Sequence, residues 1–323
     1  MYIVTGGAGF IGSALVWELN RHGIYDIIVV DNLGTTEKWK NLVGRRFSNY
    51  YHKSIFLDML YDNKFKNIEG IIHLGACSAT TEKDADYLME NNLHYTIKIC
   101  TYALEHGIRF LNASSAATYG DGTQGFDDDI ETIYSLRPLN MYGLSKQLFD
   151  MWTLEHGYEK SIASFKFFNV YGPNEYHKGD MRSVVLKTFL DIMDGKPSRL
   201  FKSYKPEYKD GEQMRDFIYI KDIVHILYTF LQQPSWNGIF NIGTGTARTW
   251  NDLIKAVYVA LDKECRIEYI DMPGYLKEKY QYYTKADTSH FMNVTQNTFS
   301  FTSLEDGVKD YVQNYLMHEC AIL

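Results

Sequence analysis

No run of about 18 consecutive apolar residues occurs in the chain, so a membrane-spanning helix is not expected. The start MYIVTGGAGFIG has neither a basic segment nor a small-residue cleavage site, so no export signal is expected either. Cysteine is scarce. Cys77, Cys100, Cys265 and Cys320 lie far apart, with no Cys-x-x-Cys and no paired His ligands, which argues against a zinc site and against a disulfide framework. The expectation is a cytoplasmic protein with reduced thiols and no metal ion. Basic residues are in the minority, 33 Lys plus Arg against 40 Asp plus Glu, and the net charge of −7 repels polyanions, so nucleic acid is not an expected partner. A small anion in a locally positive pocket remains compatible with that charge. Two short motifs are read as chance matches. The terminal CAIL follows Met317, His318 and Glu319 rather than a polybasic stretch, and the sequon starting at Asn112 ends a hydrophobic run.

What the chain does have is a globular composition, 45% hydrophobic and 23% charged over 323 residues. At about 150 residues per domain this allows one large or two medium domains. Residues 2–5 (YIVT) read as a strand, a glycine cluster follows, and residues 10–19 carry apolar side chains at helical spacing. Further strands are expected at residues 27–30, 70–74, 108–113 and 162–168, with helices over 85–106 and 141–155. Alternating strands and helices predict an α/β protein with a doubly wound parallel sheet of the Rossmann type. Beyond about residue 170 the alternation breaks down. Polar loops such as residues 202–213 suggest a smaller, interleaved α/β substrate lobe. We therefore expect a dinucleotide-binding domain over 1–170, completed by about 216–243, and a substrate lobe mainly within 171–323.

Gly6, Gly9 and Gly12 stand between the first strand and the first helix. Glycine there permits a tight turn and close approach of a diphosphate, while the helix start offers free N–H donors and a partial positive charge. Asp31 ends the second strand about 20 residues on, where a carboxylate can accept from adenosine ribose hydroxyls. A glycine-rich turn beside a surface Asp would look alike in isolation; the strand and helix context favours a dinucleotide. Asp31 by itself favours NAD, because it repels a 2′-phosphate, yet Lys38 and Lys53 could neutralise such a phosphate. These residues leave NAD and NADP open.

Tyr142 and Lys146 are spaced i, i+4 and share one helix face. A neighbouring ammonium favours tyrosinate, which predicts a lowered phenol pKa and a role as base. Tyr275 and Lys279 repeat the spacing, so position decides between them. Tyr142 follows the strand that ends in Ser114 and Ser115, at the carboxyl edge where doubly wound sheets bind ligands. Ser115 is then a candidate to hydrogen-bond a substrate hydroxyl.

Together TGGAGFIG, SSAATYG (residues 114–120) and YGLSK (residues 142–146) resemble the extended short-chain dehydrogenase/reductase superfamily, whose members mostly modify nucleotide sugars. The segments VVDNLG, HLGACSATTE, PLNMYGLSK, FNVYGPNEYHKGDMRSV, RDFIYIKD, GIFNIGTG and YQYYTKAD narrow the resemblance to its ADP-L-glycero-D-manno-heptose 6-epimerase family, over nearly the whole chain. The resemblance implies an isomerase of carbohydrate metabolism in lipopolysaccharide precursor synthesis. It further implies a nucleotide-sugar substrate, a tightly bound NADP and a homo-oligomer. In addition to Gly6, Gly9 and Gly12, the residues Phe10, Ile11, Asp31, Asn32, Lys38, Lys53, Leu74, Gly75, Ala76, Cys77, Ser78, Asn91, Lys146, Val170 and Lys178 match its cofactor contacts. Ser115 matches the catalytic-site hydroxyl, and Tyr142 and Lys178 match the acid/base groups. Asn169, Phe201, Arg215 and Tyr280 match substrate positions. Asp180 stands at a substrate position where the family usually has Ser, and Lys187 where it often has His. The segment KSYKPEYKDGEQM after Phe201 is longer and more charged than usual. These departures fall on contacts to the sugar and nucleotide, not on the groups of the chemistry.

Elementary chemistry agrees with the implied reaction. Inverting a carbon that bears a hydroxyl and a non-acidic hydrogen requires oxidation first, because side-chain bases do not remove such a proton. Hydride then returns to the opposite face of the transient ketone, with Lys178 in the HKGD loop, which looks mobile, as the second proton-transfer group. A C4 epimerase of the same superfamily shares Ser, Tyr and Lys and stays open. A 4,6-dehydratase needs an acid pair where Ala116 and Ala117 stand. A non-catalytic dinucleotide sensor would have no use for Ser115, Tyr142 and Lys146 together.

Overall fold

A computed structural model describes residues 1–277 and 280–323, so Lys279 of the second Tyr-x-x-x-Lys spacing lies outside the described residues. The strands, in chain order, are β1 (Tyr2–Thr5), β2 (Ile27–Asp31), β3 (Asn49–His52), β4 (Gly70–His73), β5 (Arg109–Ser115), β6 (Ala163–Phe167), β7 (Asn169–Tyr171), β8 (Ser198–Phe201), β9 (Met214–Tyr219), β10 (Gly238–Ile242), β11 (Ala247–Thr249) and β12 (Ile267–Ile270). Seven of them form one sheet in the order β10-β6-β5-β4-β1-β2-β3. Every pairing in it is parallel.

Side chains alternate between the two faces of each strand, and the sheet is covered on both. Val4, Val29, Ile72 and Leu111 join one core with the helices Phe10–Arg21 and Ile220–Gln232. Ile3, Ile28, Ile71 and Phe110 join the other with the helices Lys53–Tyr61, Tyr95–Glu105 and Met141–Glu155. Such two-sided burial is why these strands read as unbroken apolar runs. The result is the doubly wound α/β sheet expected from the alternation.

The structure departs from expectation in three places. β3 (NYYH) has no apolar run, because it is the edge strand and its side chains are exposed or half-buried. The helical stretch over 85–106 contains a π-helical turn, Met89–His94. Of residues 216–243, the helix Ile220–Gln232 packs on the main sheet and β10 joins it, but β9 does not. β9 instead forms the centre of a three-stranded sheet, parallel to β7 and antiparallel to β11, because its almost wholly buried residues need a partner on each side. β8 and β12 form a separate parallel pair. No described helix is long and apolar enough to cross a membrane.

Candidate active site

The glycine turn after β1 is shaped by close approach. Gly6 has φ +65°, and a Cβ on Gly12 would lie 2.1 Å from the Gly6 carbonyl oxygen, a backbone atom that has no room to move. The helix Phe10–Arg21 begins at Gly9 with no side-chain cap, so its first N–H groups face the cleft beside it. At the end of β2, Asp31 orders this turn: its Oδ2 accepts from Ala8 N at 2.8 Å, and its Oδ1 accepts from Asn32 N and Lys38 Nζ. A cradle that any Cβ would fill, free helix N–H donors and a carboxylate at the second strand end fit a bound dinucleotide.

The cleft has a volume of about 1080 Å³. Gly6, Gly9, Phe10, Ile11, Gly12, Asp31, Lys38, Leu74, Gly75, Ala76, Cys77, Ser78, Lys146, Val170 and Lys178 all line it. Asn32, Lys53 and Asn91 line an adjoining cavity of about 130 Å³ together with Asp31 and Lys38. There Lys38 Nζ lies 2.8 Å from Asp31, and Lys53 donates to the Asn91 side-chain oxygen. Burial lowers the Lys53 pKa.

Ser115 at the end of β5 and Tyr142 and Lys146 on the helix Met141–Glu155 line the same cleft. Asn140 caps that helix through Gly143 N at 2.8 Å. Gly143 lies so close to the segment after Ser115 that a Cβ there would come within 2.6 Å of the Ala117 carbonyl. Helix start and strand end are thus fixed against each other. Lys146 is buried and donates to the Ala113 carbonyl at 2.7 Å. Burial pulls it down to about 8, with the Asp150 carboxylate acting in the opposite sense.

The expected lowering of Tyr142 is not what the structure shows. Burial raises its pKa, and the Ser115 hydroxyl offsets this only in part. The Lys146 ammonium is directed at the Ala113 carbonyl and does not outweigh the loss of water around the phenol.

The HKGD segment lies within a short helical turn, Tyr176–Met181, interrupted at Gly179 (φ +54°). Side-chain hydrogen bonds tie it to its surroundings. Asn41 Nδ2 donates to the carbonyls of Ala8 and Asn174 at 3.0 Å each and contacts His177 Nδ1 at 3.3 Å, which ties the segment to the glycine turn. Tyr176 donates to Ala321 O at 2.7 Å, and Arg182 Nε to Tyr176 O at 2.8 Å. Lys178 Nζ lies 5.2 Å from the centre of the Phe10 ring. Burial lowers Lys178, and buried Glu175 opposes that shift.

Arg215, Asn169 and Tyr280 also line the cleft. Arg215 is buried, 7% exposed, and its guanidinium lies 5.6 Å from the centre of the Trp250 ring and 5.4 Å from that of Tyr280. Three expected substrate positions do not line it. Phe201 stands behind, edge-on to Tyr280 at 6.2 Å. Lys187 turns away to donate to the Asp180 carbonyl at 2.7 Å, and both are exposed. Arg182, His177, Trp250 and Gln281 line the cleft without having been singled out. Arg182 and His177 lie in the FNVYGPNEYHKGDMRSV segment and Gln281 in YQYYTKAD, whereas nothing local marks Trp250.

Residues 2–243 match the NAD dependent epimerase/dehydratase family. The chain belongs to that family. This epimerase/dehydratase is 59% identical over 317 residues, 98% of each chain, to the ADP-L-glycero-D-manno-heptose-6-epimerase of Nitratidesulfovibrio vulgaris strain DP4. It is 47% identical to the protein of the same name from Fusobacterium nucleatum, over all of both chains. Among solved structures it resembles the ADP-L-glycero-D-manno-heptose-6-epimerase of Helicobacter pylori, with a TM-score of 0.82 and 27% identity, covering 97% of this chain and 95% of that one. The family agrees with the resemblance read from the sequence segments.

Proposed function

We propose that the protein inverts C6 of an ADP-linked manno-heptose, converting the D-glycero to the L-glycero form by transient oxidation to a 6-ketone and return of the hydride. The observation that carries this reading is the meeting of Ser115, Tyr142, Lys146 and Lys178 in one cleft that the glycine cradle and buried Arg215 also line. The relatives' names favour ADP-heptose over a C4 epimerisation. The expected cofactor is NADP, which Gly6, Gly9, Gly12 and Asp31 would hold, with Lys38 and Lys53 to neutralise the 2′-phosphate; bound there, it would supply the hydride acceptor and donor. Arg215 supplies a charge for the substrate diphosphate, and Asn169 and Tyr280 line the path to it.

Ser115 holds the C6 oxygen, and Tyr142 and Lys178 exchange protons with it. Burial raises the phenol and lowers the amine, which brings the two groups closer in proton affinity than they are in water. One takes the hydroxyl proton, and the other returns a proton to the ketone oxygen after rotation about C5–C6. A homo-oligomer is part of this reading, and a light-scattering mass tests it. The function is tested by incubating the purified protein with ADP- and GDP-linked D-glycero-D-manno-heptose and reading the C6 configuration by NMR. Inversion of the ADP sugar in heavy water, without deuterium at C6, is expected. Stoichiometric consumption of added NADP would identify a dehydrogenase instead.

A further inference from the structure

The mechanism makes no use of one fully buried pair of charges. Lys166 Nζ on β6 lies 2.6 Å from Asp150 Oδ2 on the helix Met141–Glu155, and neither side chain has any exposure. Such a pair loses the hydration of both ions and is often no more stabilising than apolar residues of the same volume. Its position gives it another use. Asp150 Oδ2 also accepts from Ser114 Oγ at 2.8 Å. Lys166 Nζ also donates to Thr118 Oγ1 at 3.0 Å, and that hydroxyl donates to the Ser115 carbonyl at 2.9 Å. The pair therefore grips the chain on both sides of Ser115. Asp150 also stands one helical turn after Lys146, on the same face.

Resting on the reading of Ser115, Tyr142 and Lys146 as the reaction centre, we propose that Asp150 and Lys166 are a positioning pair: Lys166 fixes the turn that presents Ser115 to the cleft, and the Asp150 carboxylate holds Lys146 in its charged form beside Tyr142.

Among the described residues, the ionisable groups around this centre are Tyr142 and Asp150 on the helix itself, Lys166 on β6, His73 on β4, and Cys77 in the loop after β4. His73 is neutral, pushed down to about 3 by burial and by Lys146 itself. Lys166 is matched by its bond to Asp150. The carboxylate is thus what opposes the loss of the Lys146 proton that burial favours.

The test removes both charges together, so that neither is stranded. In an Asp150→Leu/Lys166→Met double variant, Lys146 is titrated by NMR of lysine labelled at Cε, bound dinucleotide is quantified, and kcat and KM for the ADP-heptose are followed against pH. The expected variant folds and binds dinucleotide, and its kcat is lower at every pH because Ser115 is no longer held. Its Lys146 titrates about one pH unit lower, and kcat above that midpoint falls roughly tenfold further, because one unit is tenfold in ammonium. Restoring a cation by Lys166→Arg in place of Lys166→Met, with Asp150 intact, rescues both. A double variant with wild-type Lys146 titration and pH profile overturns the proposal. If the double variant does not fold, Asp150→Asn is judged by the same titration, and an unmoved Lys146 overturns it. Tyr142→Phe, measured in parallel, separates the two readings: turnover retained there would remove the reaction centre itself, and the proposal with it.

Discussion

Tyr142 and His73 are both pushed by burial toward their neutral forms, with consequences on different measurements. For Tyr142 the consequence is kinetic. Tyr142→Phe keeps the ring and its packing but removes the transferable proton, so kcat should fall about 10²- to 10⁴-fold while bound dinucleotide is retained. A loss below tenfold would remove Tyr142 from proton transfer. For His73 the consequence is thermodynamic. Its ring bridges the Thr5 and Thr96 hydroxyls at 2.7 and 2.9 Å, and its pKa falls from 6.5 to about 3 on folding. Between those values the unfolded chain binds the extra proton, so this contribution to stability is complete above pH 6.5 and is lost as the pH falls toward 3. The melting temperature of His73→Gln should therefore fall less steeply with acid than that of the wild type. Parallel slopes from pH 7 to 4.5 would assign the acid sensitivity to other groups.

At the scale of elements, the contact between the turn Tyr176–Met181 and the glycine turn runs largely through Asn41. Asn41→Ala leaves the Ala8 and Asn174 carbonyls without their donor, a loss of about 1–3 kcal/mol. The expected outcome is faster amide exchange at Lys178 and Gly179 and a lower kcat, with Tyr142 and Lys146 undisturbed. Unchanged exchange would show that Tyr176 and Arg182 suffice to hold the segment. Asn41 also illustrates how unevenly the molecule can be read from its residues. β1, β2, β4, β5, β6 and the helix Met141–Glu155 are legible because burial on both faces writes itself as apolar runs and helical spacing. β3 is silent because an edge strand needs only its backbone, and β7 and β11 are too short to carry a period. Tyr142 and Lys146 are marked by their spacing, but Asn41, Trp250 and the Asp150–Lys166 pair are joined to the site only by tertiary contacts. Resemblance supplies Lys178, and also Phe201, Asp180 and Lys187, which do not line the cleft.

On the scale of the whole molecule, cofactor choice should appear as stability. A ligand at 100 times its Kd adds about 2.7 kcal/mol to a protein that binds it only when folded. If Lys38 and Lys53 meet a 2′-phosphate, NADP should raise the melting temperature more than NAD at equal concentration, and Lys53→Ala should remove most of that difference. Equal shifts from both cofactors, unchanged in Lys53→Ala, would reassign the cofactor to NAD.

The late arrival of β10 bears on how the chain is made. About 70 residues separate the end of β6 from the strand that pairs with its outer edge. At about 5–20 residues per second, a ribosome needs roughly 4–14 seconds to bridge that gap. Throughout that interval β6 offers an unpaired edge, and Phe165 waits for Phe230 and Phe240, the rings that finally enclose it. A chain stalled before residue 238 should therefore be a sticky, chaperone-bound species, although every residue of the glycine cradle, Tyr142, Lys146 and Lys178 has already been synthesised.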